Sequence, residues 1–136
     1  MMKEMIIEAK TENLDEVLGF IDTELEAFDC PMKTQMQLDV AVEELYVNIA
    51  HYAYSPDKGE AVISIDVSGD PLTVTIVFKD KGKQFDPTAK ADPDVTLSAA
   101  ERQIGGLGIY MAKKGVDSMT YEYTDGQNIL TISKKL

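Results

Sequence analysis

Two neighbouring stretches of this chain alternate apolar and polar residues at every second position, with only turn residues between them. In Ala61–Val67, Ile63, Ile65 and Val67 fall on one side and Val62, Ser64 and Asp66 on the other; in Leu72–Phe78, Val74, Ile76 and Phe78 share a side. A period of two is that of a half-buried strand. The intervening Gly69-Asp70-Pro71 is turn chemistry, so the second strand must return antiparallel beside the first. A second hairpin is written near the C-terminus, where Met119–Thr124 and Ile129–Ser133 flank Asp125-Gly126, a strong two-residue hairpin signal. A further short apolar run, Met5–Ala9, reads as a first strand. A sheet built mainly from hairpins is antiparallel or mixed, and its one apolar face needs a cover.

Helical segments supply that cover. Leu14, Val17, Leu18, Ile21 and Leu25 recur at steps of three and four up to about Phe28, and Asn13 with Glu16 has the spacing of a capping box. Asp29-Cys30-Pro31 breaks the pattern. A longer helix is expected over Lys33–Tyr54, with Leu38, Val42, Leu45, Ile49 and Tyr52 as its apolar stripe. At about 100° per residue, Glu44, Asn48 and His51 form a second stripe at the edge of the buried face, where a pocket can form. Glu43, level with Asp39, should face water. Ile109–Gly115 reads as a short third helix. The order β-α-α-β-β-loop-α-β-β predicts an α/β (α+β) two-layer sandwich, a mostly antiparallel sheet with helices on one face.

At 136 residues the chain is expected to form a single domain, residues 1–136, with a core burying roughly two thirds of the unfolded surface. No stretch is long and apolar enough to span a membrane, and Met1–Glu8 carries acids inside its apolar run, unlike a signal peptide; the expected location is cytoplasmic. The single cysteine, Cys30, permits no intramolecular disulfide. A net charge of −11 opposes binding to nucleic-acid backbone and leaves a basic protein surface as a compatible partner. Any phosphate must therefore be held by local groups or by a metal.

Four places carry possible chemistry. Glu44 and Asn48, a carboxylate and a carboxamide one turn apart, can share a ligand at a pocket edge or be an ordinary polar helix edge. Asn is a poor helix former, about 0.6 kcal/mol worse than Ala, and its carbonyl oxygen suits Mg²⁺. Asp80-Lys81-Gly82 closes a strand: either a charged turn, or a carboxylate accepting a hydrogen bond from a ligand amine beside a close-approaching backbone. Gly105-Gly106-Leu107-Gly108 opens a helix and is either a hinge or a cradle of free N–H groups for phosphate. It lacks the Gly-Lys-Ser/Thr of a Walker A loop and the strand and third glycine of a dinucleotide fingerprint. His51 is the only histidine, which leaves neither a zinc site nor a Ser-His-Asp arrangement much to build from. Between these lies Thr88–Gln103, long and aperiodic for a plain connector.

In order, Glu44-x-x-x-Asn48 on a helix, Asp80-x-Gly82 after a strand, a long loop and Gly106-x-Gly108 opening a helix resemble the GHKL, or histidine-kinase-like, ATPase superfamily. The wording Val-Glu-Glu-Leu-Tyr-Val-Asn-Ile-Ala-His-Tyr-Ala-Tyr, Asp-Lys-Gly-Lys-Gln-Phe-Asp-Pro and Gly-Gly-Leu-Gly-Ile-Tyr is similar to the anti-sigma factor serine-protein kinases within it. The resemblance implies a Bergerat-type fold binding ATP and Mg²⁺. It implies that Asn48 ligates Mg²⁺, that Glu44 is the catalytic carboxylate, and that Asp80 reads the adenine amine with Gly82 beside the base. Gly105, Gly106, Leu107 and Gly108 would line the phosphates, Thr88–Gln103 would be the lid, and Arg102 would reach the γ-phosphate from it. The implied partners are a STAS-type anti-anti-sigma protein, whose serine is phosphorylated, and a sigma factor that is sequestered. A homodimer through the first strand fits the same pattern; nucleic acid and membrane are not expected partners. This chain departs from the family pattern in having Gln84 where a second glycine often stands, Tyr52 where histidine is frequent, and Gly126-Gln127-Asn128 where Gly-Thr is common. A module that holds ATP and switches partners without phosphoryl transfer would use the same motifs. A histidine-kinase catalytic part and a gyrase- or MutL-like machine fit less well, for want of a phospho-accepting helix pair and a transducer domain.

Overall fold

The computed structural model describes residues 2–54, 57–89 and 106–136. Two helix-rich stretches and two hairpins occupy them, in the order strand β1 (Lys3–Glu8), helices α1 (Leu14–Ala27) and α2 (Met32–Tyr52), strands β2 (Glu60–Ser68) and β3 (Thr73–Asp80), helix α3 (Gly106–Gly115), and strands β4 (Ser118–Thr124) and β5 (Gln127–Lys135). The five strands form one sheet in the order β1-β2-β3-β5-β4, and every neighbouring pair is antiparallel. The mixed alternative is thereby removed.

Side-chain parity decides which face is covered. Ile63, Phe78 and Leu130 lie in one cross-strand row, and Ile65, Ile76 and Ile132 in the next. All six are buried and join Val17, Ile21 and Leu25 of α1 with Leu38, Val42, Leu45 and Ile49 of α2 in one core. The helices therefore cover a single face of the sheet, giving the two-layer sandwich. Among the described residues no helix is long and apolar enough to cross a membrane. The β4–β5 turn has φ of 52° at Asp125 and 75° at Gly126, the paired positive values of a type I′ hairpin.

Three local expectations are corrected. Asn13 precedes α1 but makes no side-chain cap; its Nδ2 donates instead to the Glu8 carbonyl at 2.9 Å. A short 3-10 turn, Thr11–Asn13, leads straight into α1, and the amide is spent on the end of β1. The stripe on α2 ends at Ile49, because Tyr52 is exposed while Tyr46 is fully buried. The Tyr46 hydroxyl has one proton to donate and lies within hydrogen-bond distance of the carbonyls of Glu8 (3.1 Å) and Lys10 (2.8 Å), pinning α2 to the end of β1. Finally, Asp39 is half-buried rather than solvent-facing. Its Oδ1 and that of Asp22 on α1 are both buried without a hydrogen-bond partner. Burial first, then the adjacent Asp22 and Glu26 carboxyls, push Asp39 up to about 7. Burial, followed by the same two aspartates, also raises the Cys30 thiol. Glu43 does face water, with Glu44 half-buried beside it.

Candidate functional site

Strand parity carries Asp80 to its place. Val74, Ile76, Phe78 and Asp80 alternate along β3, and all four are buried on the helix-covered face. Asp80 ends that row where the sheet leaves the core, opposite Asn128 of β5. Asn128 is itself buried, and its carboxamide is fully engaged. Nδ2 donates to Asp80 Oδ1 at 3.0 Å and to the Lys83 carbonyl at 2.8 Å. Its Oδ1 accepts from the Phe85 N–H at 3.1 Å and from the Tyr121 hydroxyl at 2.5 Å. Two donors and two lone pairs are the whole capacity of an asparagine side chain, so Asn128 is a fixed knot between β3, β5, β4 and the 81–87 segment.

Asp80 Oδ1 accepts a second bond, from the Gly82 N–H at 2.9 Å. Both bonds fall on one oxygen, and Oδ2 takes neither. Gly82 is needed for a steric reason: a Cβ there would lie 2.2 Å from the Ala53 carbonyl oxygen and 2.5 Å from its carbon. This close approach lets Lys83 N–H donate to that same carbonyl at 2.8 Å. On the far side, the Tyr54 hydroxyl donates to the Glu60 carbonyl at 2.6 Å and accepts from the Lys81 N–H at 2.7 Å. The segment after Asp80 is thus clamped to the end of α2 from two directions. Burial raises the Tyr54 phenol against the opposing Lys81 N–H bond, with the Asp80 and Glu60 charges adding to the rise; burial likewise dominates at Tyr121.

A cavity opens between this clamp and α2. Asn48, Ile49, Tyr52 and Phe78 line it together with Asp80 and Asn128. It is mostly apolar with a few polar groups, the usual form of a small-molecule site. Asn48 and Asp80, distant in sequence, therefore share one cavity. His51 is exposed, and Tyr52 takes the wall expected of it. A step of four from Asn48 advances about 40° round the helix, whereas a step of three falls back about 60°; the cavity lies on the advancing side.

One turn before Asn48 on α2, Glu44 lies outside the lining of this cavity and meets α3 instead. α3 begins at Gly106, three residues earlier than its apolar pattern indicates, so Gly106 and Gly108 lie in its first turn. A Cβ on Gly108 would stand 2.0 Å from Glu44 Oε2. Glycine therefore admits the carboxylate against the amino end of α3, where unpaired N–H groups and the helix dipole favour negative charge. Arg102, Gly105 and the lid beyond residue 89 lie outside the described residues. Sequence reasoning missed Asn128, Tyr54 and Tyr121. The Asp125-Gly126 turn did carry a signal for one of them, because it sets Asn128 opposite Tyr123 in the β4–β5 hairpin.

Residues 7–134 match the family described as Histidine kinase-like ATPase domain. The serine/threonine-protein kinase BtrW of Bordetella bronchiseptica is 26% identical over 101 residues, covering 74% of this chain and 70% of the relative. Among solved structures, the histidine kinase domain of the blue-light activated histidine kinase from Erythrobacter litoralis EL346 superposes with a TM-score of 0.57 at 16% identity. That match covers 90% of this chain, which spans 61% of the solved one, and at such identity it speaks for the fold alone.

Proposed function

The chain belongs to the histidine kinase-like ATPase family, and on that footing we propose that it is an Mg-ATP-dependent serine-protein kinase of the anti-sigma type. One observation carries the reading: Asn48 shares a cavity with the buried carboxylate of Asp80, and one turn earlier on the same helix Glu44 lies against Gly108 at the amino end of α3. A purine amine at one end and a polyphosphate at the other is the ligand these groups suit. Asp80 Oδ1 is held by two donors, and Oδ2 would accept the adenine amine. The apolar walls of Phe78, Ile49 and Leu130 would hold the base.

The donor set fits Mg²⁺ through Asn48. Among the described residues no three His, Cys, Asp or Glu side chains gather into a site able to hold a metal ion, and Mg²⁺ commonly takes one or two protein oxygens with phosphate and water completing its shell. Bound there, it would supply charge neutralisation that an acidic chain otherwise lacks. Glu44 would orient the partner's serine hydroxyl and take its proton as the oxygen bonds to the γ-phosphorus and ADP leaves. A carboxylate is a weak base at neutral pH, so orientation is the larger part of that role. A STAS-type anti-anti-sigma protein would bring the serine, and a sigma factor would be the protein held in check. The relative named as a serine/threonine-protein kinase supports this reading.

Asp80→Asn tests the nucleotide half. The asparagine must keep its oxygen toward Gly82 N–H and Asn128 Nδ2, which turns its NH₂ toward the cavity, where it meets another donor. ATP affinity by titration calorimetry should fall on the order of 100-fold, since an unmatched buried polar group is heavily penalised; unchanged affinity removes Asp80 from the adenine contact. For the transfer half, the protein is incubated with Mg-ATP and purified anti-anti-sigma-type proteins, and phosphoserine is sought. ATP binding without phosphoserine would favour a partner switch without kinase activity.

A further inference from the structure

The row of α2 that carries Asn48 and Glu44 continues toward the helix start, at steps of four, as Val40, Met36 and Met32. These three are large, apolar and exposed, at 42%, 60% and 71% respectively, and Met111 on α3 joins them at 50%. Helix α3 runs antiparallel to this part of α2: Gly108 abuts Glu44, and a Cβ on Gly115 would lie 3.4 Å from the Gln37 carbonyl oxygen. That close helix contact makes a groove floor. Met36, Val40 and Met111 wall it, Gln37 and Gly115 form its base, and Lys114 stands at the rim, the whole enclosing about 280 Å³. Exposed apolar side chains usually occur singly, and a contiguous set marks a binding surface.

We infer that this groove docks the segment of the substrate protein next to its acceptor serine. The inference rests on the kinase reading of Glu44. Three features of the groove point to this occupant. It is continuous with the candidate site: at about 1.5 Å of rise per residue, Val40 lies about 6 Å along the helix from Glu44 and Met36 about 12 Å. An extended chain covers that distance in about four residues, so apolar side chains about two to four positions from the serine would fall on Val40 and Met36. Methionine walls adapt to apolar partners of varied shape. The charge is also suited to a protein segment of opposite sign. On a chain of net charge −11, this groove is edged by Lys114, whose ammonium lies 5.4 Å from the Tyr110 ring centre. The occupant is accordingly an apolar segment flanked by an acidic side chain.

The test uses the full chain, γ-labelled ATP and purified anti-anti-sigma-type proteins of the source organism. Met36→Glu and Met111→Glu change exposed side chains, and circular dichroism checks their fold; Met36→Ala is the milder companion. Leu72→Glu, at an exposed apolar position just before β3 and outside the groove's lining, is the control. Both glutamate variants should keep wild-type ATP affinity and lose transfer by tenfold or more in kcat/KM, through KM, an effect on the order of an interface hot spot. Met36→Ala should fall between, and Leu72→Glu should match the wild type. Wild-type transfer in the glutamate variants overturns the groove, as does a parallel loss of ATP affinity. So does loss of a wild-type dimer in the variants, which would make a second copy the occupant. If the wild type binds ATP yet labels none of the proteins, the kinase reading falls and the groove inference with it.

Discussion

Gly82→Ala puts one methyl group where the structure has no room. The built Cβ lies 2.2 Å from the Ala53 carbonyl oxygen, 2.5 Å from the carbonyl carbon and 2.6 Å from the Ala53 Cβ. Ordinary contact needs at least 3.4 Å, so the 81–83 segment or the end of α2 must retreat by more than 1 Å. Neither can do so by rotating a side chain, because the obstacle is backbone. Two hydrogen bonds are stretched by the movement: Lys83 N–H to the Ala53 carbonyl at 2.8 Å and Gly82 N–H to Asp80 Oδ1 at 2.9 Å. The first is worth about 1 kcal/mol, and the second, to a carboxylate, about 1.5–3 kcal/mol. Together a loss of about 2–4 kcal/mol is expected. For a domain of this size each kcal/mol lowers Tm by about 3–5 °C, so calorimetry should find the variant melting roughly 6–20 °C lower. ATP affinity should fall as well, since Asp80 loses one of the donors that fix its free oxygen. A melting temperature within about 2 °C of wild type with unaltered ATP affinity would refute the claim that Gly82 is retained for this approach.

The remaining predictions separate site from scaffold. Gly108→Ala makes an even shorter overlap, 2.0 Å, but with the mobile end of Glu44, so phosphoryl transfer should drop at least tenfold while Tm holds or rises, alanine being about 1 kcal/mol better than glycine inside a helix; a large fall in Tm would contradict this. Glu44→Gln should abolish transfer in the labelling assay and Glu43→Gln should not, because only Glu44 is turned toward α3; the reverse outcome would reject the assignment. Asp39, pushed up to about 7, keeps its proton in the fold after the unfolded chain has released it, so its stability contribution is present below about pH 4 and lost as pH rises to about 7. At about 1.4 kcal/mol per pH unit the full effect would be about 4 kcal/mol, which solvent screening at a half-exposed pair reduces to about 1–2 kcal/mol. Asp39→Asn should therefore stabilise the protein by that amount at pH 8 and by almost nothing at pH 4, as measured by urea denaturation; equal gains at both would remove the carboxyl pair as the cause.

Local period explains what could be read in advance. Val74, Ile76 and Phe78 share a side by parity alone, and the same parity carries Asp80 to the core face. Helical phase likewise separates Glu44 from Glu43. The misreadings sit where a second element intervenes. Asp39 has the phase of a solvent position on α2, yet α1 packs there and sets Asp22 against it. His51 and Tyr52 differ by one helical step, and the position of the sheet, not the helix, decides which of them meets the cavity. Asn128 was the least accessible: its partners Asp80, Lys83 and Phe85 come from a strand and segment more than 40 positions earlier, and nothing local sets the β3–β5 register. That register supplies the chemical distinction the motif lacks. An aspartate closing a strand is commonplace, and with both oxygens in water it would select no particular base. Here Asn128 and Gly82 both take Oδ1, so a ligand meets one oriented acceptor beside an apolar wall. An amine can satisfy it and a carbonyl cannot. The long-range pairing of β3 with β5 thus turns a strand-end acid into a single oriented acceptor, the group an adenine amine would meet under the proposed function.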